Sequence, residues 1–138
     1  MSQESRNNKL DIQVEGLKEL RKALKTLEGE GKDSLKAEIK ATNKAAADIV
    51  AASARLGVPV KSGRLRDSIR TSGTIRAGVV RAGKSKVPYA APIHFGWPKR
   101  HIAPKPFLYE ARDKRAGEVV ELYVQRVEKL LEEVIPNG

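Results

Sequence analysis

The segment formed by residues 88–109, PYAAPIHFGWPKRHIAPKPFLY, constrains the fold more than any other part of the chain. It contains both histidines, the single tryptophan, five of the seven prolines and every aromatic residue except Tyr123. Aromatic rings supply large contact areas at low entropic cost, and proline restricts the backbone before any contact forms. We therefore expect a shaped and partly rigid loop that docks against a partner and is attached to a scaffold.

Two roles are expected inside this segment. Three aromatic residues, Tyr89, Phe95 and Phe107, are predicted to be structural anchors that pack into the core. The tip, residues 96–103, is predicted to be a partner-docking loop. Its expected contact residues are Trp97, Lys99, Arg100 and His101.

Composition indicates one globular domain. A chain of 138 residues can bury about two thirds of its unfolded surface. No apolar run reaches the length of a membrane span, so no membrane partner is expected. Cysteine is absent, which excludes disulfides and thiolate metal sites and is compatible with a reducing compartment. We expect a flexible tail over residues 1–9 and a single α+β domain over residues 10–138.

The net charge of +10 is concentrated in the middle of the chain. Fifteen basic and only three acidic residues lie between Arg55 and Arg115, whereas acids slightly outnumber bases elsewhere. A basic surface attracts polyanions, above all nucleic acid, through neutralisation of phosphates. The alternative is a solvated surface that only aids solubility. The possible DNA-facing residues are Arg64, Arg66, Arg81, Lys84 and Lys86.

Periodicity in the first half of the chain predicts a strand followed by two helices. Leu10–Val14 alternates apolar and polar residues, which is typical of a half-buried strand. Leucines at three- and four-residue steps then predict a short helix, which two glycines in residues 28–31 interrupt. A long central helix is expected from a cap at Asp33 or Ser34 to about Leu56.

The second half is expected to add a hairpin and another long helix. Residues 68–76 and 79–83 predict two strands joined by a tight turn at Ala77-Gly78. Residues 89–95 are ambiguous between a short helix and a strand. Residues 107–134 predict a long helix. The fold class is therefore α+β: a small antiparallel sheet packed against a long central helix, with a long C-terminal helix.

The lengths of the two predicted long helices, from about Asp33 to Leu56 and over residues 107–134, bear on whether the protein assembles with other subunits. At 1.5 Å per residue they would span roughly 35 and 40 Å, which is about the diameter of a domain of this size. Helices of this length tend to project and to leave apolar faces for neighbouring subunits, so we expect a homo-oligomer. The alternative is a break at Gly117 that lets the last helix fold back.

Two sequence features suggest nucleotide binding or metal binding, but the residues around them do not support either activity. Residues 78–85 (GVVRAGKS) match the phosphate-binding pattern G-x-x-x-x-G-K-[ST]. Pro88 and Tyr89 follow too soon for the helix that this chemistry needs. His94 and His101 lack a nearby carboxylate to complete a metal site. We expect no catalytic residue, no cofactor and no metal, and therefore a protein that is not an enzyme.

Three motifs, in this order along the chain, resemble a family of phage proteins. Residues 14–20 (VEGLKEL) resemble the pattern V-x-G-L-x-x-L, and residues 58–69 (VPVKSGRLRDSI) resemble P-V-x-[ST]-G-x-L-R-x-S-I. Residues 88–96 (PYAAPIHFG) and 103–111 (APKPFLYEA) resemble Y-A-x-x-[VI]-x-[FY]-G … P-A-x-P-F-L-x-x-A. The family comprises the tail-completion, or head–tail joining, proteins of long-tailed bacteriophages of the Hong Kong ninety-seven type. Residues 97–101 (WPKRH) replace its commoner Gly/Thr-rich loop.

This resemblance covers most of the chain and implies an α+β subunit of a ring, expected to be a hexamer, in the neck between the capsid connector and the tail tube. Such a structural protein, assembled in the host cytoplasm and located in the virion, has no catalytic residues. Its partners would be connector or head-completion proteins and tail-tube proteins, with non-specific contact to genomic DNA in the lumen. Two alternatives stay open: a basic nucleic-acid-binding module, and a neighbouring tail component such as a tail terminator.

Overall fold

The computed structural model describes residues 10–26, 28–58, 63–84 and 87–134. The predicted tail over residues 1–9, the candidate Lys86 and residues 59–62 of the second family motif lie outside these ranges. Within them, no helix has both the length and the apolar character needed to cross a lipid bilayer.

Three short strands form one antiparallel sheet: β1 (Leu10–Val14), β2 (Arg70–Gly73) and β3 (Gly78–Ala82). Their order is β1-β3-β2, so the third strand along the chain lies in the centre. The register places Ile12 of β1 and Thr71 of β2 on either side of Val80. Leu10 and Ile12 are buried whereas Asp11 and Gln13 are exposed, as the two-residue period of a half-buried strand requires.

Helices make up most of the remaining chain. They are α1 (Lys18–Ala23), α2 (Gly29–Gly57), α3 (Arg64–Ser68), α4 (Ala90–Phe95), α5 (Phe107–Lys114) and α6 (Ala116–Val134), with short 3-10 turns at Leu24–Thr26 and Pro98–Arg100. The central helix α2 contacts all three strands and both C-terminal helices. The predicted α+β class, with a small antiparallel sheet against a long central helix and a C-terminal helix, is confirmed.

The backbone of α2 lies very close to the β2–β3 hairpin. A Cβ atom on Gly78 would overlap the backbone carbonyl oxygen of Asn43, and one on Gly73 would overlap that of Lys40. Ala46 and Ala47 on the same helix are fully buried. Small residues on both elements therefore allow this close approach.

The hairpin turn occupies residues 74–77 rather than the predicted Ala77-Gly78. The backbone N–H of Thr74 donates to the carbonyl oxygen of Ala77 at 2.9 Å. The hydroxyl oxygen of Thr74 accepts bonds from the N–H groups of Arg76 and Ala77 at 3.2 and 3.1 Å. A threonine side chain thus organises the turn, whereas Gly78 is required by the closeness of α2.

The start of α2 also differs from the prediction, because neither Asp33 nor Ser34 caps it. The helix begins at Gly29, after Glu28 in an extended conformation that provides no side-chain capping bond. Gly29 has a φ angle of 70°, a left-handed conformation that glycine adopts readily. The interruption predicted at residues 28–31 is therefore present, but it lies only at the start of α2.

The predicted single helix over residues 107–134 is wrong, because the chain breaks at Arg115 into α5 and α6. Both pieces contact α2. In one straight helix the buried residues Ala111 and Tyr123 would point about 120° apart, so the break allows both pieces to pack against the same partner. The break lies two residues before Gly117, where the alternative had placed it, and of the two long helices expected from the sequence only α2, with 29 residues, is continuous.

A buried polar network connects three elements. Asn43, on α2, is fully buried, and its side-chain N–H donates to the carbonyl oxygen of Thr74 at 2.8 Å. The hydroxyl of Tyr123, on α6, donates to Oδ1 of Asn43 at 2.8 Å. Burial raises the pKa of Tyr123 to about 12, and the negative charge of Glu15 adds to the shift. The hairpin, the central helix and the C-terminal helix are thereby held by one asparagine.

The close packing of the hairpin generates a first prediction. Gly78→Ala should lower the free energy of unfolding by about 1–3 kcal/mol, because the new methyl group must displace α2. Gly31→Ala is a matched control: its Cβ would meet nothing within 4 Å in the first turn of α2, and the change should leave stability within about 0.5 kcal/mol of wild type. Urea unfolding measures both. Equal stability of Gly78→Ala and wild type would contradict the packing described.

Tyr123 generates a second prediction. Its pKa is higher in the folded chain than the value of about 10 in an unfolded one. The folded state therefore holds the proton more tightly, and stability should fall as the pH rises from about 10 to 12. Tyr123→Phe should cost about 1–3 kcal/mol at neutral pH, because Asn43 loses its donor. The variant should also show a shallower alkaline decline in urea unfolding, and an identical decline would contradict this assignment.

Candidate partner-docking surface

The aromatic segment is built on α4, which resolves the ambiguity of residues 89–95 in favour of a helix. Pro92 lies in its first turn, where proline is tolerated. His94 is buried, and its ring makes edge-on contacts with three aromatic rings. The centroid distances are 4.6 Å to Phe95, 5.3 Å to Phe107 and 4.4 Å to Tyr109. This cluster joins α4 to α5.

The three predicted anchors lie at different depths. Phe107 is 1% exposed and belongs to the main hydrophobic cluster. Tyr89 is half-buried and packs against that cluster. Phe95 is 41% exposed. Phe95 therefore contributes one edge to the aromatic cluster and leaves much of its ring at the surface.

Backbone contacts close the docking loop. Trp97 and Ile102 form an antiparallel pair, with N–H to carbonyl distances of 2.8 and 3.1 Å. A 3-10 turn, Pro98–Arg100, and a left-handed His101 with φ of 56° complete the reversal. At the base, Gly96 has a φ angle of 83°, and a Cβ there would lie 2.9 Å from the ring of Pro104. The shape of the loop is therefore set mainly by main-chain atoms.

The loop presents its four predicted docking residues, Trp97, Lys99, Arg100 and His101, as exposed side chains. Trp97 is 43% exposed, and the guanidinium carbon of Arg100 lies 5.3 Å from the centre of its ring. This distance is typical of a cation–π contact. The loop thus offers a flat aromatic surface with positive charge on it.

An apolar groove of about 530 Å³ lies beside the loop. It is lined by Pro88, Tyr89, Ala91, Pro92, Phe95, Gly96, Trp97 and Ile102. The two surfaces are continuous, because Trp97 belongs to both. Ile102 lies within the predicted docking loop, whereas Pro88 and Pro92 were not among the predicted binding residues, although the crowding of prolines around the aromatic residues was a usable signal. An apolar groove of this size next to an aromatic residue is typical of a protein-docking site.

The predicted DNA-facing residues lie on separate elements. Arg64 and Arg66 are on α3, and Arg66 forms an ion pair with Asp67 at 3.5 Å. Arg81, in β3, donates to the hydroxyl of Ser72 at 3.0 Å. Lys84 is exposed in the turn that follows β3. Their role as a joint DNA-facing set stays a prediction.

The phosphate-loop pattern over residues 78–85 does not adopt phosphate-loop geometry in its described part. Its first five residues form β3, and Lys84 pairs with Val87 through backbone bonds of 3.2 and 2.8 Å. The next helix begins only at Ala90. In the described ranges, no group of three or more His, Asp or Glu side chains is placed to hold a metal ion.

Comparison with protein-family models assigns the chain to a class of bacteriophage tail components. The matching family is described as "Bacteriophage HK97-gp10, putative tail-component", and the match spans residues 18–96, more than half of the chain. The chain therefore belongs to the HK97-gp10-like family, which confirms the resemblance seen in its motifs. No curated protein and no solved structure matches the chain. The family match ends at Gly96, immediately before Trp97.

The different depths of the anchors generate a third prediction. Phe107→Ala should reduce the free energy of unfolding by about 3–5 kcal/mol, because truncation of a fully buried ring leaves a cavity. Phe95→Ala is the matched control from the same aromatic cluster, and it should cost much less because its ring is partly solvated. Thermal melts of the two variants make the comparison. Similar losses for both would show that the exposed position of Phe95 is wrong.

Proposed function

We propose that this tail component is a structural subunit of a homo-oligomeric ring, a hexamer, at the head–tail junction. The ring joins the capsid connector or head-completion protein to the tail tube, and genomic DNA passes through its lumen. The observation that carries the proposal is the family match over residues 18–96. A tail component is part of the virion, so its partners are other virion proteins.

Two exposed apolar surfaces support assembly. One is the groove beside Trp97, and the other is formed by Val120 and Val124 on the outer side of α6. A closed ring is built from heterologous contacts, in which one patch of a subunit meets a different patch of the next. Two separate apolar patches on one chain satisfy this requirement. The long helix α2 remains a further source of subunit contacts, whereas the predicted long C-terminal helix is divided into α5 and α6.

The proposed role is structural rather than enzymatic. Residues 78–84 resemble a nucleotide-binding motif in sequence, but they form a strand and a turn. Backbone N–H groups in a strand are committed to neighbouring strands and do not converge on a phosphate. The geometry therefore supports contact with proteins rather than phosphate chemistry.

The docking loop generates a fourth prediction. Trp97→Ala should leave the melting temperature nearly unchanged but weaken assembly by about 2 kcal/mol, roughly 30-fold, as expected for an aromatic residue at the centre of an interface. Leu56→Ala is the control, because Leu56 is 82% exposed and lies outside both apolar patches. Its truncation should affect neither quantity. Native mass spectrometry, alone and with tail-tube or connector protein, measures assembly.

Two outcomes would contradict the proposal. A wild-type protein that stays monomeric at high concentration, alone and with those partners, would exclude the ring. A Trp97→Ala variant that unfolds while its folded fraction assembles normally would make Trp97 part of the core rather than of the docking surface.

A further inference from the structure

Five basic side chains line one surface groove between α1 and the first turns of α2. The groove has a volume of about 440 Å³, and its basic residues are Arg21, Lys22, Lys25, Lys32 and Lys36. Leu24 and Ile75 form the apolar part of the lining. We call this surface the basic groove. It contains none of the residues that the sequence indicated as DNA-facing.

The charges of the basic groove are arranged to attract an anion. No acidic side chain is among its described lining residues. Lys25, Lys32 and Lys36 are exposed and form no ion pair within the described ranges. Arg21 is held in place by Glu15 at 3.9 Å and by the carbonyl oxygen of Arg76 at 3.5 Å. Like charges that converge on one concave surface raise the local concentration of a polyanion.

The lining also limits which polyanion fits. Lys32 and Lys36 are separated by about 6 Å along α2, and Arg21, Lys22 and Lys25 face them from the neighbouring segment. The polar side chains of the described lining are all Arg or Lys, which contact phosphates most often, and none is an Asn or Gln that could read adenine. It has no aromatic ring either, and single-stranded nucleic acid is bound largely by stacking on such rings.

We propose that the basic groove binds the sugar–phosphate backbone of duplex DNA. The choice of DNA over another polyanion rests on the proposed function, in which genomic DNA passes through the assembled ring. The groove then supplies the non-specific DNA contact that the basic middle of the chain had been expected to supply. It does so through residues 21–36, whose five basic and three acidic residues carry a net charge of only +2.

The test is the salt dependence of binding to a short random-sequence duplex, measured with the full chain by fluorescence anisotropy. The triple variant Lys25→Gln, Lys32→Gln, Lys36→Gln should bind more weakly at every sequence tested. Its slope of log affinity against log salt should be smaller in magnitude by about 2.7, since each phosphate contact contributes about 0.9. The control is the competing variant Arg64→Gln, Arg66→Gln, Lys84→Gln, which removes the same charge at residues predicted from sequence to face DNA. If the basic groove is the contact, this variant binds like wild type.

Each other outcome overturns the inference. An equal loss in both triple variants would mean diffuse attraction by net charge, and a loss in the control alone would place the contact at the residues predicted from sequence. Tighter binding to single-stranded than to duplex DNA would exclude a duplex-backbone site. Lys→Arg at the three groove positions should retain binding, and failure to do so would show that charge is not the cause of the loss.

Native mass spectrometry of the same samples measures their assembly. This measurement distinguishes a failure of the DNA-binding inference from a failure of the proposed ring. A wild-type protein that assembles with tail proteins but does not bind DNA would refute the basic groove and leave the ring intact. A groove variant that assembles normally but no longer binds DNA is the expected result.

Discussion

The structure depends on the close contact between the backbone of α2 and the β2–β3 hairpin. Gly73 and Gly78 allow this contact because a side chain at either position would collide with the helix. Asn43 lies at the same crossing, and its amide joins the hairpin turn to Tyr123 of α6. A buried amide is stable only when its hydrogen bonds are satisfied, so the positions of these three elements are tied together. The burial of small residues, rather than of large apolar ones, determines how the sheet meets the helix.

The aromatic segment, residues 88–109, is held in place by elements that pack on α2. It begins after β3 and ends in α5, and both of these elements pack on α2. The ring of His94 contacts Phe107 on α5, while the backbone N–H of Lys105 donates to the carbonyl oxygen of Ile93 on α4 at 2.8 Å. The loop is therefore fixed on both sides before its tip begins. A rigid tip loses little conformational entropy when a partner binds, which is a condition for a strong interface.

Much of the fold could be predicted from local patterns, and the errors have physical causes. Alternation identified β1, and leucine spacing identified α1. The role of Gly78 was missed, because its cause is contact with Asn43, which is 35 positions earlier and invisible to a turn pattern. The break at Arg115 was anticipated only as an alternative, at Gly117, since packing against α2 overrides a sequence with a continuous helical pattern. The basic groove could not be found by counting charges, because folding places Lys25 and Lys36 in the lining of one groove while the three acids between them in sequence are not part of that lining.

The shape of the docking loop is largely independent of the side chains at its tip. Trp97 and Ile102 join the two ends of the loop through main-chain hydrogen bonds, which do not depend on the side chains between them. Substitution at Lys99 or Arg100 can therefore alter the exposed surface of the loop without a change in loop geometry. His101 is the restricted position, because its φ angle of 56° favours His, Asn, Asp or Gly. In the proposed docking role, the side chains of the tip would set which partner binds, while the main chain would keep the loop in one shape.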